Sequence, residues 1–517
     1  MKMMKTLTAV AVATVLLGGC QTTQSADNGQ AVSQSQFPEV KVNYETFTLD
    51  NGLTVVVHED RKAPIVAVNV WYAVGSKDEK TGQTGFAHLF EHLMFNGTEN
   101  YDDEYFGPFE RAGATEMNGT TNNDRTNYFE NVPTPALDMA LWMESDRMGH
   151  LLGAVTQDKL DEQRGVVQNE KRQGEAQPYG KAWSYIAEQT FPEGHPYSWS
   201  VIGSMEDLNA ASLDDVHQWF EDYYGAANAV LVLAGDIDVE TAKEKVTKYF
   251  ADIGPGKPLQ KQEAWVAKRD EQKRSTMEDR VPAPRVYKVW NTAQMGTADS
   301  EYLNLLADIL ANGKNSRLYE RLVYNEQIAS SVGAFQYGRK LSGQFFITAD
   351  AKPGVELEQI ETIIDEELER LITEGPTAAE LQRTKFSTTA DFVRRAEKVG
   401  GFGGKSDLLA SGAVYHNDPG FYEKEMKWTK EASVNNLQNA AEKWLSDGDF
   451  VLNVVPQPDY AAQETDADRS QLPHVGDLPQ LELPEVKTFT LSNGLEVYLA
   501  QRSDTPTVEM SLVFDSG

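Results

Sequence analysis

A single cysteine, Cys20, in 517 residues leaves no intrachain disulfide to staple the fold, and any metal site must be built from nitrogen and oxygen ligands. Basic residues are scarce as well: 47 Lys and Arg stand against 79 Asp and Glu, a formal charge of -32. A surface of that sign repels phosphate backbones and argues against a nucleic-acid partner. The apolar run at the N-terminus, Leu7 to Leu17, is shorter than the roughly 20 residues a membrane-spanning helix needs. What the chain does have is a globular composition, 40% hydrophobic and 10% aromatic. Its length corresponds, as a prior, to about three domains.

Lys2 and Lys5 precede the apolar run and Leu17-Gly18-Gly19-Cys20 follows it, so residues 1–19 read as a processing segment outside the fold. The tetrapeptide resembles the lipobox of bacterial lipoproteins. That implies cleavage before Cys20, lipidation of its sulfur, and export to the envelope of a Gram-negative bacterium. Gln21 after the cysteine implies the outer membrane, facing the periplasm. An ordinary secretory signal with an incidental cysteine is the alternative. Residues 20–42, rich in Gln, Ser and Thr, read as a flexible tether.

The stretch that organises the rest is Gly85 to Asn100, GFAHLFEHLMFNGTEN. At about 100° per residue on a helix, His88 and His92 lie about 40° apart and Glu91 falls within about 100° of both. Phe86, Ala87, Leu89, Phe90, Leu93 and Met94 fill the other arc, which predicts an amphipathic helix anchored in a core. Two neutral imidazoles one turn apart can reach one zinc ion at about 2.0–2.1 Å, leaving the acid beside the open coordination position. Two surface histidines and a solvated glutamate are the plainer reading of the same residues.

Around that helix, β-branched alternation predicts strands at 46–49, 54–58 and 65–74, the first two joined by an Asn51-Gly52 hairpin turn. The Asn- and Thr-rich segment Thr115 to Tyr128 reads as an exposed strand bordering the helix. Helical spacing follows at 133–151 and 157–175. In the second of these Val166, Val167 and Glu170 share a stripe, so Glu170 is expected to project from an apolar face, where a metal ion would offset the cost of its burial. Pairing with Arg or Lys is the other way to satisfy it. An apolar run at 228–235 predicts a buried strand, and a helix at 239–250 closes the first domain, residues 43–255. A linker at 256–276 leads to a second domain of the same style, 277–456. There Gly400, Gly401, Gly403 and Gly404 read as a flexible break. A polar connector spans 457–484.

The last segment, 485–517, repeats the first. Phe489-Thr490-Leu491-Ser492-Asn493-Gly494-Leu495-Glu496-Val497 echoes Phe47-Thr48-Leu49-Asp50-Asn51-Gly52-Leu53-Thr54-Val55 without a gap. The expectation is a truncated third domain, so that the chain is the N-terminal half of a longer two-half protein. The fold class expected overall is α+β, two successive sheet-and-helix domains followed by the first strands of a third.

His88-Leu89-Phe90-Glu91-His92, with Gly75-Ser76 and Gly85 before it and Phe95-Asn96-Gly97-Thr98 after it, resembles the inverted zinc motif of the pitrilysin/insulinase metallopeptidases. The resemblance runs from about Tyr44 to Val455. It implies domains of the mitochondrial-processing-peptidase type, a catalytic first domain and a non-catalytic second. It also implies one Zn2+ per chain held by His88, His92 and Glu170, with Glu91 as general base. Asn118 matches an edge-strand asparagine that binds substrate backbone, although Asn118-Gly119 reads equally well as a turn. Gln163 stands where many relatives carry a supporting glutamate. Val323 and Ser330 occupy places that in the last domain of relatives hold a substrate-gripping Arg and Tyr. The implied activity is a zinc endopeptidase acting on unfolded peptides inside a chamber that needs a second half to close. A non-catalytic peptide-binding or assembly subunit of the same fold is the alternative, and a lipoprotein scaffold with incidental histidines a third.

Overall fold

The computed structural model describes residues 40–458, 465–467, 469–474, 476, 484–501 and 507–516. The expected signal segment, Cys20 and nearly all of the tether lie outside the described residues. Up to residue 457 the chain forms two mixed sheets, each with its own helices. The first contains β1 (Glu45–Thr48), β2 (Thr54–Glu59), β3 (Ile65–Tyr72), β4 (Thr115–Thr121), β5 (Thr126–Pro133) and β6 (Ala229–Gly235), in the spatial order β1-β2-β6-β3-β5-β4. Only β2 and β6 are parallel. Its helices are α1 (Phe86–Leu93), α2 (Phe106–Arg111), α3 (Leu137–Gly149), α4 (Gln157–Ala176), α5 (Ala182–Thr190), α6 (Met205–Ala210), α7 (Leu213–Tyr223) and α8 (Val239–Phe250).

The second sheet contains β7 (Lys273–Asp279), β8 (Arg285–Thr292), β9 (Ala329–Tyr337), β10 (Gly343–Ala351) and β11 (Phe450–Pro456), ordered β7-β11-β8-β10-β9 with β7 and β11 parallel. With it go α9 (Ala298–Ala311), α10 (Leu357–Glu374), α11 (Ala378–Arg395), α12 (Lys405–His416), α13 (Tyr422–Glu431) and α14 (Val434–Leu445). Strand for strand this repeats β2-β6-β3-β5-β4. The fold is α+β, two successive domains of one architecture, as expected.

The central strands read as unbroken apolar runs because both their faces are covered. In β6, Leu231 and Leu233 face the core under α1 and α3, while Val230 and Val232 face a second cluster with Leu409, Ala410 and Ala413 of α12. The second domain mirrors this: Val451 of β11 joins its own helices, whereas Phe450, Leu452 and Val454 pack on Ala182 and Ile186 of α5. Each domain thus lays a helix across the outer face of the other's sheet, which joins the two into one body.

Four expectations need correction. β7 begins at Lys273, inside the segment read as linker, because its alternation is polar on an edge strand. Residues 115–128 form not one strand but most of the β4–β5 hairpin. The glycines after α11 are no flexible break. A Cβ on Gly400 would lie 2.0 Å from the Asn131 side chain of β5, so they let the loop into α12 press against the first sheet. Val42, at the end of the expected tether, is buried, and its N–H donates to the Tyr422 hydroxyl at 2.8 Å.

The segment from residue 458 onward is a separate unit. Its β12 (Val486–Thr490) and β13 (Glu496–Ala500) form an antiparallel hairpin. The turn reproduces that of β1–β2: Gly494 has φ +89° and Gly52 φ +91°, and Leu495 and Leu53 each donate to the preceding Asn side chain at 3.2 Å. The sequence echo is therefore also an echo of backbone geometry.

Candidate metal centre

Helix α1 starts where Gly85 adopts φ +90°. A Cβ there would come within 2.7 Å of the Ile202 carbonyl, so only glycine lets the chain enter the helix at this point. The buried Glu79 carboxylate accepts from Ala87 N–H at 3.0 Å and from Trp199 Nε1 at 2.9 Å, so it caps the positive end of α1 and pins it to the 195–201 loop. Phe86, Ala87, Leu89, Phe90 and Leu93 are buried, which fixes the rotation of the helix about its axis. That rotation turns His88, Glu91 and His92 toward α4.

The two imidazoles sit one turn apart, their centroids 4.8 Å from each other and their planes at 87°. Glu170 Oε2 lies 3.6 Å from His88 Nε2 and 3.5 Å from His92 Nε2. Among the described residues this is the one group of three or more His, Cys, Asp or Glu whose donor atoms converge, all within 4.8 Å. Tetrahedral bonds of about 2.0–2.1 Å to one ion place neighbouring ligand atoms about 3.3–3.4 Å apart, and the two imidazole–Glu170 separations come close to that. Burial, and then the neighbouring His92, pushes His88 down to about 4, and burial likewise lowers His92 against the pull of Glu170. Both rings are therefore neutral at pH 7, the form that ligates.

Glu170 reached this place for a different reason than its apolar stripe implied. In α4 only Leu160 and Val167 are buried, Val166 is exposed, and the Glu170 side chain is half exposed at the rim of the site. Val166 and Val167 point about 100° apart, so they never formed a common buried face.

Glu91 is buried beside the imidazoles, and its Oε2 accepts from Thr121 Oγ1 at 2.6 Å. Burial pushes its carboxyl up to about 7, against the opposing effects of Thr121 and Arg125. Arg125 is itself fixed by Thr120, through its carbonyl at 2.8 Å, and by the face of Trp71. Thr121, Arg125 and Glu79 were not singled out from sequence. Thr121 had a signal, its place in the Thr- and Asn-rich strand next to the helix; Glu79, eight residues before the N–H it caps, had none.

Gln163, on the same stripe of α4 as Glu170, neighbours His92 and favours its charged form. Asn118 lies on β4, the free edge of the first sheet, with an exposed side chain that accepts from Gly119 N–H at 2.9 Å. Asn118-Gly119 is thus strand and not turn. Gly119 is required there, since a Cβ would strike the Phe95 ring at 2.7 Å. Val323 falls in the π-helical segment Tyr319–Asn325 and Ser330 on β9, away from this cluster in the chain's second domain.

Comparison with known proteins adds likeness of sequence and of fold. Residues 54–196 match the family model described as insulinase (peptidase family M16), and residues 210–388 match the model for the peptidase M16 inactive domain. The zinc protease PqqE of Helicobacter pylori is 28% identical over 422 residues, spanning 80% of this chain and 92% of that protein. The uncharacterized zinc protease YmxG of Bacillus subtilis is 24% identical over 370 residues, 70% of this chain and 88% of that one. The crystal structure of a protease from Helicobacter pylori overlays with a TM-score of 0.72 at 27% identity, covering 80% of this chain and all of that one. In fold alone, the periplasmic protease PqqL from Escherichia coli overlays with a TM-score of 0.66 on 91% of this chain and 57% of its own. Two consecutive domain models of one family, a shared two-domain fold and homologues named zinc proteases carry one conclusion: the chain belongs to the insulinase family, peptidase M16.

Proposed function

We propose that this protein is a zinc-dependent endopeptidase that hydrolyses peptide bonds of unfolded peptides. The observation that carries the reading is the convergence of two neutral imidazoles and one carboxylate within 4.8 Å of one another, with a second, raised carboxylate beside them. His88, His92 and Glu170 would hold one Zn2+. When bound, the ion supplies Lewis-acid polarisation of the scissile carbonyl and of the attacking water.

The chain's own residues do the rest. Glu91 takes the proton from the water at its carboxylate and delivers it to the leaving amine nitrogen, and Thr121 holds one oxygen so that the other faces the reaction. The uncompensated β4 edge around Asn118 offers backbone donors and acceptors to an extended peptide, which would add as a further strand. An extended segment of an unfolded chain has its backbone groups free to pair in this way. We also propose that the protein is anchored through Cys20 in a Gram-negative envelope, and that a second half of the same architecture closes the chamber.

Glu91→Gln tests the assignment. Cleavage of a quenched, unstructured peptide is expected to fall by about 10²- to 10⁴-fold while one zinc per chain is retained. Unchanged cleavage with zinc still bound would remove Glu91 from the mechanism.

A further inference from the structure

Between α5, the 195–201 loop and the β9–β10 hairpin lies a cavity of about 380 Å3. Its walls are aromatic: Trp183, half exposed, packs at 5.5 Å on Phe346, which stacks at 4.8 Å on Phe335, and Trp199 and Tyr337 complete them. Its charged element is Arg339, a residue only 6% exposed.

That arginine is an anomaly. Among the described residues no carboxylate lies within ion-pair distance of it. Of its five N–H groups, Nη1 donates to Asn123 Oδ1 at 3.4 Å, Nη2 donates to Gln344 Oε1 at 2.7 Å, and Nε has no partner. Asp124 acts on it through space, but its oxygens are committed to the Tyr197 hydroxyl at 2.5 Å and to Lys340 N–H at 3.0 Å. The rings of Phe191, Tyr197 and Tyr337 lie 5.2, 4.3 and 4.8 Å from the guanidinium carbon, so its faces are covered and only its N–H edge remains. Burial lowers the group's proton affinity. Keeping such a cation buried without a contact ion pair is expensive unless an anion completes it, and a guanidinium edge matches a carboxylate in two parallel hydrogen bonds.

We propose that this cavity is a subsite for a peptide carboxylate flanked by an apolar or aromatic side chain, with Arg339 pairing the carboxylate and the aromatic walls taking the side chain. Its volume suits one or two residues. The place is consistent with a peptide running from the β4 edge: Asn123 is two residues beyond Thr121, which holds Glu91, and Trp199 binds Glu79, which caps α1. The inference rests on the peptide-binding reading of the site, and its test measures binding without cleavage, so the two can fail separately.

The probes are N-acetyl-Ala-Phe with a free carboxylate, its C-terminal amide, and N-acetyl-Ala-Asp-Phe amide, titrated by calorimetry into the full chain carrying Glu91→Gln. The free acid is expected to bind at least about tenfold tighter than the amide, and Arg339→Gln to bring the two level. Trp183→Ala, at an exposed position, should weaken acid and amide alike and leave their ratio intact, which keeps the test open if Arg339→Gln does not fold. Tight binding of the internal-Asp peptide would assign the carboxylate to a side chain, and its failure would assign it to the chain end. Equal affinity for acid and amide, no saturation by the acid, or indifference to Trp183→Ala would overturn the proposal.

Discussion

Helix α1 and helix α9 occupy the same place in two copies of one fold, each following the strand at the middle of its sheet and preceding the edge hairpin. Each ends in Asn-Gly, with Gly97 at φ +85° and Gly313 at φ +82°. Aligned on that turn, the buried Leu89, Phe90, Leu93 and Met94 correspond to the buried Leu305, Leu306, Ile309 and Leu310. His88, Glu91 and His92 correspond to Asn304, Ala307 and Asp308. The neighbouring helices α4 and α11 both begin at a threonine cap, Thr156 and Thr377, and aligned there Glu170 corresponds to Asp391, which pairs with Arg394. The apolar face has been kept and the polar face exchanged. Packing therefore needs only the first, and whatever chemistry the protein performs lives on the second.

The comparison breaks most sharply if the polar face is transplanted. His88→Asn combined with His92→Asp gives α1 two of the three polar-face residues of α9 and leaves Glu91 in place. Peptidase activity should fall by at least about 10⁴-fold and zinc should be lost on dialysis, while thermal unfolding of the metal-free protein changes by only about 1 kcal/mol. Activity surviving in zinc-depleted double variant would mean that the two helices do not differ where they are claimed to.

The edge strands give the next contrast. Gly119 of β4 is pressed against Phe95, whereas a Cβ on Gly333 of β9 would meet nothing nearer than Thr348 Oγ1 at 3.5 Å. Gly119→Ala should cost about 2 kcal/mol and disturb the strand that positions Thr121, while Gly333→Ala should be close to neutral in denaturant unfolding. Equal effects at both sites would show that β4 is no more tightly seated than β9.

These contrasts also show what could be read from residues alone. The α1 site was legible because its ligand types repeat at helical spacing on a short segment, and the terminal hairpin because its residues recur without a gap. Glu170 does converge with both rings, but not for the reason its stripe offered, since that stripe is exposed at Val166. The exchange of α5 and α12 between domains left no local signal, because a strand covered by a foreign helix reads the same as one covered by its own. α12 also carries apolar residues nearly all round, and the glycines before it read as a break when they serve close approach.

Raised carboxylates differ between the domains too. In the first, burial lifts Glu91 to about 7 at a site that can use a proton. In the second, burial lifts Glu301 of α9 to about 8, with Glu425 of α13 adding repulsion, and lifts Glu425 to about 7. A carboxyl whose folded value is raised carries no penalty below its ordinary value near 4.5. The penalty grows as pH climbs from there and is complete above about 8 for Glu301. The protein should thus lose stability between pH 5 and 8 through this pair, and Glu301→Gln should recover about 1–2 kcal/mol at pH 8 and nothing at pH 4. A pH-independent gain would assign the effect to packing.

The smallest expected difference lies one shell from the ligands. Gln163 neighbours His92 and favours its charged form, while its counterpart by the helix caps, Thr384, is a buried packing residue. A partner of this kind fixes the orientation of a ligating ring without touching the ion, so Gln163→Ala should weaken zinc affinity by about tenfold, read in a chelator competition. Gln163→Glu retains an acceptor and adds charge, and should hold zinc at least as tightly as the amide. If the alanine variant keeps full affinity, Gln163 is no more than the Thr384 of its own domain, and the orientation of His92 is set by the packing of α1 alone.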